Sequence, residues 1–202
     1  EDESNYSRVY WHALGTQQSE DKLIFERPDA KELNISPAIA DDGKYLLFYL
    51  YKGTDNENRI YYKEIDSDGP VVRLLDKADA QYSVIDNDGP VFYLNTDYQS
   101  PKGRVIAIDL RKPDPEQWKE LIPQSDDVLN SVSIIDNRFV LSYMHDVHHE
   151  LKLYSMDGKF EKSIDLPTLG AVGGVSGRRE DKEMFFSFTS FVYPTTIYRY
   201  NF

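Results

Sequence analysis

Two apolar runs joined by a polar connection set the grain of this chain. Asp42-Gly43 opens into Tyr45–Tyr51, the polar stretch Lys52–Asn58 follows, and Ile60–Ile65 completes the unit. Runs rich in Tyr, Phe, Leu and Ile between turn-forming residues predict a β-hairpin. The second run returns along the chain. Arg59-Ile60-Tyr61-Tyr62 is echoed by Arg104-Val105-Ile106-Ala107, Glu150-Leu151-Lys152-Leu153 and Thr196-Ile197-Tyr198-Arg199, at a spacing of about 46 residues. Arg8-Val9-Tyr10-Trp11 reads as an earlier copy. The first run returns as well, with Asp88-Gly89 leading into Val91–Leu94 and Asp136-Asn137 into Phe139–Tyr143. A period in the forties with several strands per unit predicts the blades of a β-propeller. Paired helices can share that period, but the alternation and the Tyr, Phe, Val and Ile enrichment argue against them.

Taken in order, the pattern predicts a first strand over Tyr6–Leu14, a short one over Lys22–Glu26, and then the hairpin of Tyr45–Tyr51 and Ile60–Ile65. Val71–Leu75, Tyr82–Ile85, Val91–Asn95 and Arg104–Leu110 continue the series. Leu121–Ile122, Ser131–Ile135, Phe139–Tyr143 and Leu151–Ser155 make the next unit. Ser163–Leu166, Gly170–Ser176, Met184–Thr189 and Thr196–Tyr200 make the last. Pro113–Trp118 breaks any strand, because proline cannot donate to a sheet ladder. It reads as a connection between units, with Trp118 anchored against a blade. No linker divides residues 1–202, so one all-β domain of about four blades is expected, the first incomplete.

Composition narrows what such a domain can do. Lys and Arg total 23 against 35 Asp and Glu, a net charge of −12. That field repels phosphate backbones and anionic bilayers, so neither nucleic acid nor a membrane is expected as partner. No apolar run approaches the length that spans a bilayer, and no signal peptide is evident. The absence of cysteine removes disulfides, thiolate nucleophiles and Cys-ligated zinc. It suits a periplasm slightly better than a cytosol and leaves both compartments open. The opening Glu1-Asp2-Glu3-Ser4 reads as a cut inside a longer protein, with a processed mature end as the alternative.

Candidate chemistry is sparse. Gly174-Val175-Ser176-Gly177 approaches the G-x-S-x-G elbow of serine hydrolases, but Arg178 stands where the second glycine belongs and no helical pattern follows. His145-Asp146-Val147-His148-His149-Glu150 gathers three of the four histidines, as a zinc site would. It joins two predicted strands, however, and reads as a hairpin tip with diverging side chains. Asp66-Ser67-Asp68-Gly69 and Asp86-Asn87-Asp88-Gly89 approach calcium loops, but the glycine comes too early and the acidic spacing is incomplete. Both read as turns. No catalytic constellation, metal site or cofactor site is complete.

Tyr10–Asp21, Asp41–Tyr45, Asn58–Tyr62, Leu141–Val147 and above all Val172–Tyr198, with Phe188-Thr189-Ser190-Phe191 and Pro194, together resemble the seven-bladed propeller of the prolyl oligopeptidase family of serine peptidases. The resemblance runs nearly end to end. It implies about four of the seven blades, from the middle to late propeller, unable to close a ring. It implies a parent enzyme whose α/β-hydrolase domain, built mostly from sequence beyond Phe202, carries a Ser-Asp-His triad and cleaves short peptides after proline. The propeller would cap that site and admit only short proline-containing peptides. The family's nucleophile motif, glycines around Ser-Asn, occurs nowhere in this chain, and no cofactor is implied. The resemblance places Asn34, Tyr51 and Thr54 at the substrate rim, toward P3, where relatives often carry Met, Arg and Cys. A free-standing propeller used as a binding scaffold is the alternative reading. A last expectation concerns the terminal blades: their faces, with Val9 or Tyr10 at the start and Phe185 or Phe186 at the end, should be apolar and drive self-association of the isolated chain.

Overall fold

A computed structural model describes residues 5–202. Its described residues form five antiparallel sheets whose strands follow one another in chain order. A two-stranded sheet of β1 (Arg8–Trp11) and β2 (Lys22–Glu26) comes first. Three four-stranded sheets follow: β3 (Leu33–Ile39), β4 (Tyr45–Lys52), β5 (Asn58–Glu64) and β6 (Val72–Leu75); β7 (Tyr82–Asp88), β8 (Val91–Thr96), β9 (Arg104–Asp109) and β10 (Lys119–Ile122); β11 (Val128–Ile135), β12 (Arg138–His145), β13 (His148–Ser155) and β14 (Phe160–Ile164). The last has three strands, β15 (Ala171–Ser176), β16 (Glu183–Ser190) and β17 (Tyr193–Asn201). The chain divides into two compact units. One runs to Tyr82 and includes Asn87–Gly89; the other holds Ser83–Asp86 and Pro90–Phe202.

The second strand of each blade explains why the sequence shows apolar runs instead of strict alternation. β4, β8 and β12 are buried at consecutive positions, among them Leu47-Phe48, Phe92-Tyr93-Leu94 and Phe139-Val140-Leu141. A strand covered on both faces selects apolar side chains at odd and even positions alike. The turn residues set the register. Asp136 and Asn137 both take φ of 50°, the two left-handed positions of a tight hairpin, and pin Ile135 opposite Arg138.

Four readings change at this level. The strands expected to open each new unit, at Val71–Leu75, Leu121–Ile122 and Ser163–Leu166, instead close the preceding sheet as its outer edge, β6, β10 and β14. β1 covers only Arg8–Trp11, and Leu14 is fully exposed beyond it. β3 is a full strand that the pattern does not announce, since Pro37 interrupts it. β3 lies at the edge of its sheet, with Pro37 opposite Phe48, and an edge strand can spare one N–H. The terminal faces are also divided differently. Val9 and Phe186 are buried inside their own units, whereas Tyr10 and Phe185 are the outward members of each pair. The Pro113–Trp118 connection forms a single 3₁₀ turn. Trp118 Nε1 donates to the Pro113 carbonyl at 2.8 Å and the indole meets Tyr98 edge-on.

The core lies between sheets. In the first unit Val9, Leu33, Ile35, Phe48, Leu50 and Tyr61 pack together. In the second, one cluster centres on Tyr93, Val105, Ile122, Phe139 and Tyr143, and another on Ile135, Leu151, Met184 and Phe188. Polar fasteners join the same layers. Buried Asp86 accepts from Arg179 at 3.3 Å, and Arg179 Nε donates to Asn137 Oδ1 at 2.9 Å. Buried Asp136 is bound by Lys182 and Arg138, and its bond to Lys182 holds its carboxyl below the usual range.

Candidate substrate-rim site

The three candidate residues lie toward one end of the β3–β6 sheet. Antiparallel pairing sets Asn34 directly opposite Tyr51. Asn34 and Ser36 share a face of β3, because side chains alternate along a strand. The Tyr51 hydroxyl reaches across to Ser36 Oγ at 3.4 Å. Thr54 sits on the connection that leaves β4, just after Gly53, whose φ of +55° turns the chain. Asp55 N–H closes that turn on the Lys52 carbonyl at 3.0 Å. Asn34 and Tyr51 are half-buried and Thr54 is exposed.

At the same end of the sheet is a recess of about 210 Å³, lined among others by Arg27, Leu33, Lys52, Asp55, Glu57 and Arg59; Leu33 and Lys52 alternate with Asn34 and Tyr51, so it opens on the other face of the strands. Lys52 and Asp55 bracket Thr54 in sequence, so recess and rim share one hairpin. The inner arginines are held in place. Arg27 donates to the Tyr61 hydroxyl, which donates in turn to Asp76, and Arg59 Nε donates to the Asp76 carbonyl at 2.9 Å. Burial, with the bond to Asp76, pushes the Tyr61 phenol up to about 12, so it stays a neutral donor. Arg27 Nε also binds Asp29 at 2.8 Å. The sequence alone does not reveal this recess, since its lining is spread from Arg27 to Ala78.

The other candidates do not assemble into chemistry. Ser176 ends β15 with Oγ 3.4 Å from the Phe185 carbonyl, and no helix follows it. His145 and His148 do not diverge as the hairpin reading expects. They are a cross-strand pair with rings 5.3 Å apart, and His145 Nδ1 lies 2.7 Å from Asp127, whose carboxylate raises the imidazole. His149 points elsewhere, with Nδ1 at the Val172 backbone. Among the described residues no group of three His, Cys, Asp or Glu side chains is placed to hold a metal. In the Asp66–Gly69 turn, the Lys63 ammonium already binds the carbonyls of Ser67 and Gly69 at 2.6 and 2.5 Å. The purified chain should therefore leave a fluorogenic Gly-Pro peptide intact. Cleavage that disappears in Ser176→Ala would overturn this.

A family model described as "Prolyl oligopeptidase, N-terminal beta-propeller domain" matches residues 1–202. Prolyl endopeptidase of Elizabethkingia meningoseptica is 31% identical over 194 residues, covering 96% of this chain and 27% of that protein. Prolyl oligopeptidase A of Galerina marginata is 34% identical over 200 residues, with 96% and 27% covered. The chain thus spans about a quarter of the length of the curated relatives it matches. Among solved structures, one from a study of two prolyl endopeptidases and their inter-domain dynamics superposes with a TM-score of 0.90 at 29% identity. That match covers 98% of this chain and 29% of the other. Apo prolyl oligopeptidase B from Galerina marginata gives 0.89 at 28% identity, with 98% and 28% covered. With sheets that follow a blade repeat and a family match along its whole length, the chain belongs to the N-terminal β-propeller domain family of the prolyl oligopeptidases.

Proposed function

We propose that residues 1–202 are a non-catalytic propeller portion of a proline-specific serine peptidase. In this reading an α/β-hydrolase domain elsewhere in the parent performs the cleavage. The propeller lies over its active site and admits short proline-containing peptides while turning folded proteins away. The observation that carries this is the family match over residues 1–202. The pairing of Asn34 with Tyr51, and the place of Thr54 on the connection leaving the same strand, are compatible with a shared role at one hairpin end. An extended peptide has backbone donors and acceptors to satisfy, and Asn34 and the Tyr51 and Thr54 hydroxyls offer both kinds.

The experiment uses the full parent protein. Tyr51→Ala removes a ring and a hydroxyl at the rim and touches no catalytic group. It should raise KM about 5- to 10-fold for a peptide occupying P3, the loss of roughly 1–1.4 kcal/mol of uniform binding, and leave kcat alone. A truncated peptide ending before P3 should be unaffected. Equal effects on the two peptides would remove Tyr51 from the subsite. Equal cleavage of a Gly-Pro site in a short peptide and in a folded protein would reject the gating role.

A further inference from the structure

The hairpin of β12 and β13 turns through two residues, Asp146 with a φ of 48° and the exposed Val147. The residues on either side of the turn, His145 and His148, are direct cross-strand partners. Such partners project from the same face of a sheet, so two imidazoles stand together at the tip, with ring centroids 5.3 Å apart. Two imidazoles bound to one tetrahedral zinc, with Zn–N of about 2.0–2.1 Å, hold their centroids about 5 Å apart. The observed pair already stands at that separation. His149 is the partner of Met144 and faces the other side of the sheet.

The neighbours prepare His145 to be a ligand. Its Nδ1 lies 2.7 Å from Asp127, and a carboxylate can only accept, so the neutral ring carries its proton on Nδ1 and a lone pair on Nε2. A carboxylate behind a histidine is the arrangement that fixes tautomer and orientation at zinc centres. The exposed Asp146 carboxylate is 3.9 Å from Nε2, beyond a hydrogen bond, and adds negative charge on the side where the lone pair points. The His148 side chain makes no hydrogen bond or ion pair with any described residue, so its nitrogens are free to turn toward the same point. The remaining carboxylate on this face is committed, since Glu150 is 2.8 Å from Lys152, which also approaches Asp127 at 3.9 Å. That commitment explains why no third side chain closes the site, and why water would fill the other positions on an ion held here.

We propose that His145 and His148 form an open, two-histidine site for a divalent transition-metal ion such as zinc, at the tip of the β12–β13 hairpin. Imidazole nitrogen selects Zn²⁺, Ni²⁺ and Cu²⁺ over Ca²⁺ and Mg²⁺, which take oxygen ligands. The bound ion ties two strands together across their turn, where the backbone ladder ends. The net charge of −12 draws cations toward the protein.

Calorimetric titration of the full-length protein with zinc chloride tests this, at about pH 8, where protons compete weakly for imidazole. His148→Ala and His145→Ala should each remove the same single equivalent of bound zinc. Asp127→Asn keeps the shape but not the charge behind the ring, and should weaken that equivalent about 10- to 100-fold. His12→Ala is the control: His12 also has a carboxylate on Nδ1, Asp21 at 2.6 Å, but no partner histidine, and its loss should leave the zinc count unchanged. Should a variant not fold, carbethoxylation of the wild-type protein reads the same site. Zinc should slow labelling of His145 and His148 about tenfold or more, and magnesium should not. An unchanged zinc count in His148→Ala, full affinity in Asp127→Asn, or equal labelling with the two metals would overturn the proposal.

Discussion

Replacing Gly158 by alanine should destabilise the chain by about 3–5 kcal/mol, one of the largest single-residue effects in the fold. Two causes act together. Gly158 has a φ of +85°, which side chains rarely adopt, and a Cβ there would collide with the backbone carbonyl of Leu121. Because the obstacle is the backbone of buried Leu121 on β10, it cannot swing aside as a side chain would. Gly43 is the control. Its φ is +72°, but a Cβ added there would meet nothing within 4 Å, so Gly43→Ala carries only the conformational cost of about 1 kcal/mol. Guanidinium unfolding of the two variants decides the matter. Equal midpoints would show that the Leu121 contact relaxes at no cost.

Phe139→Ala should cost a comparable amount, about 3–5 kcal/mol, through a cavity between two sheets. The ring is fully buried and meets Tyr93 edge-on with centroids 5.6 Å apart. Its neighbours Val105, Ile122, Leu141 and Tyr143 belong to the same cluster and sit on β-strands that cannot collapse inward without breaking their ladders. Phe139→Leu retains most of the volume and should lose less than half as much. Calorimetry on the two variants checks the ordering, and a Phe139→Ala protein with an unchanged Tm would mean that this cluster does not hold the sheets together.

What the sequence made legible was what local chemistry decides. The Tyr45–Tyr51 run, the Asp-Gly and Asp-Asn turns and the repeat near 46 residues all found their strands, because turn geometry and two-sided burial act over a few neighbours. β3 was hidden because Pro37 is a strand breaker everywhere except at an edge, and a strand's place at the edge is a tertiary fact. Asp86 and Asp136 were legible only as turn acids. Their partners, Arg179 and Lys182, lie in a distant loop whose position no local pattern fixes. The candidate rim residues came from family resemblance alone, and the recess at that end of the sheet exists only once the strands are paired.

Pro37 has a bearing on the life of the chain before the fold is complete. An open strand edge is a template on which a second copy can add itself, and the hazard is greatest while a nascent chain awaits its remaining sheets. A row of N–H groups along β3 would invite such growth, but at position 37 the row has a gap. A foreign strand laid along β3 would find a rung without a donor midway and a pyrrolidine ring in its path. The residue that conceals β3 from a reader of the sequence also makes that edge a poor seed for aggregation.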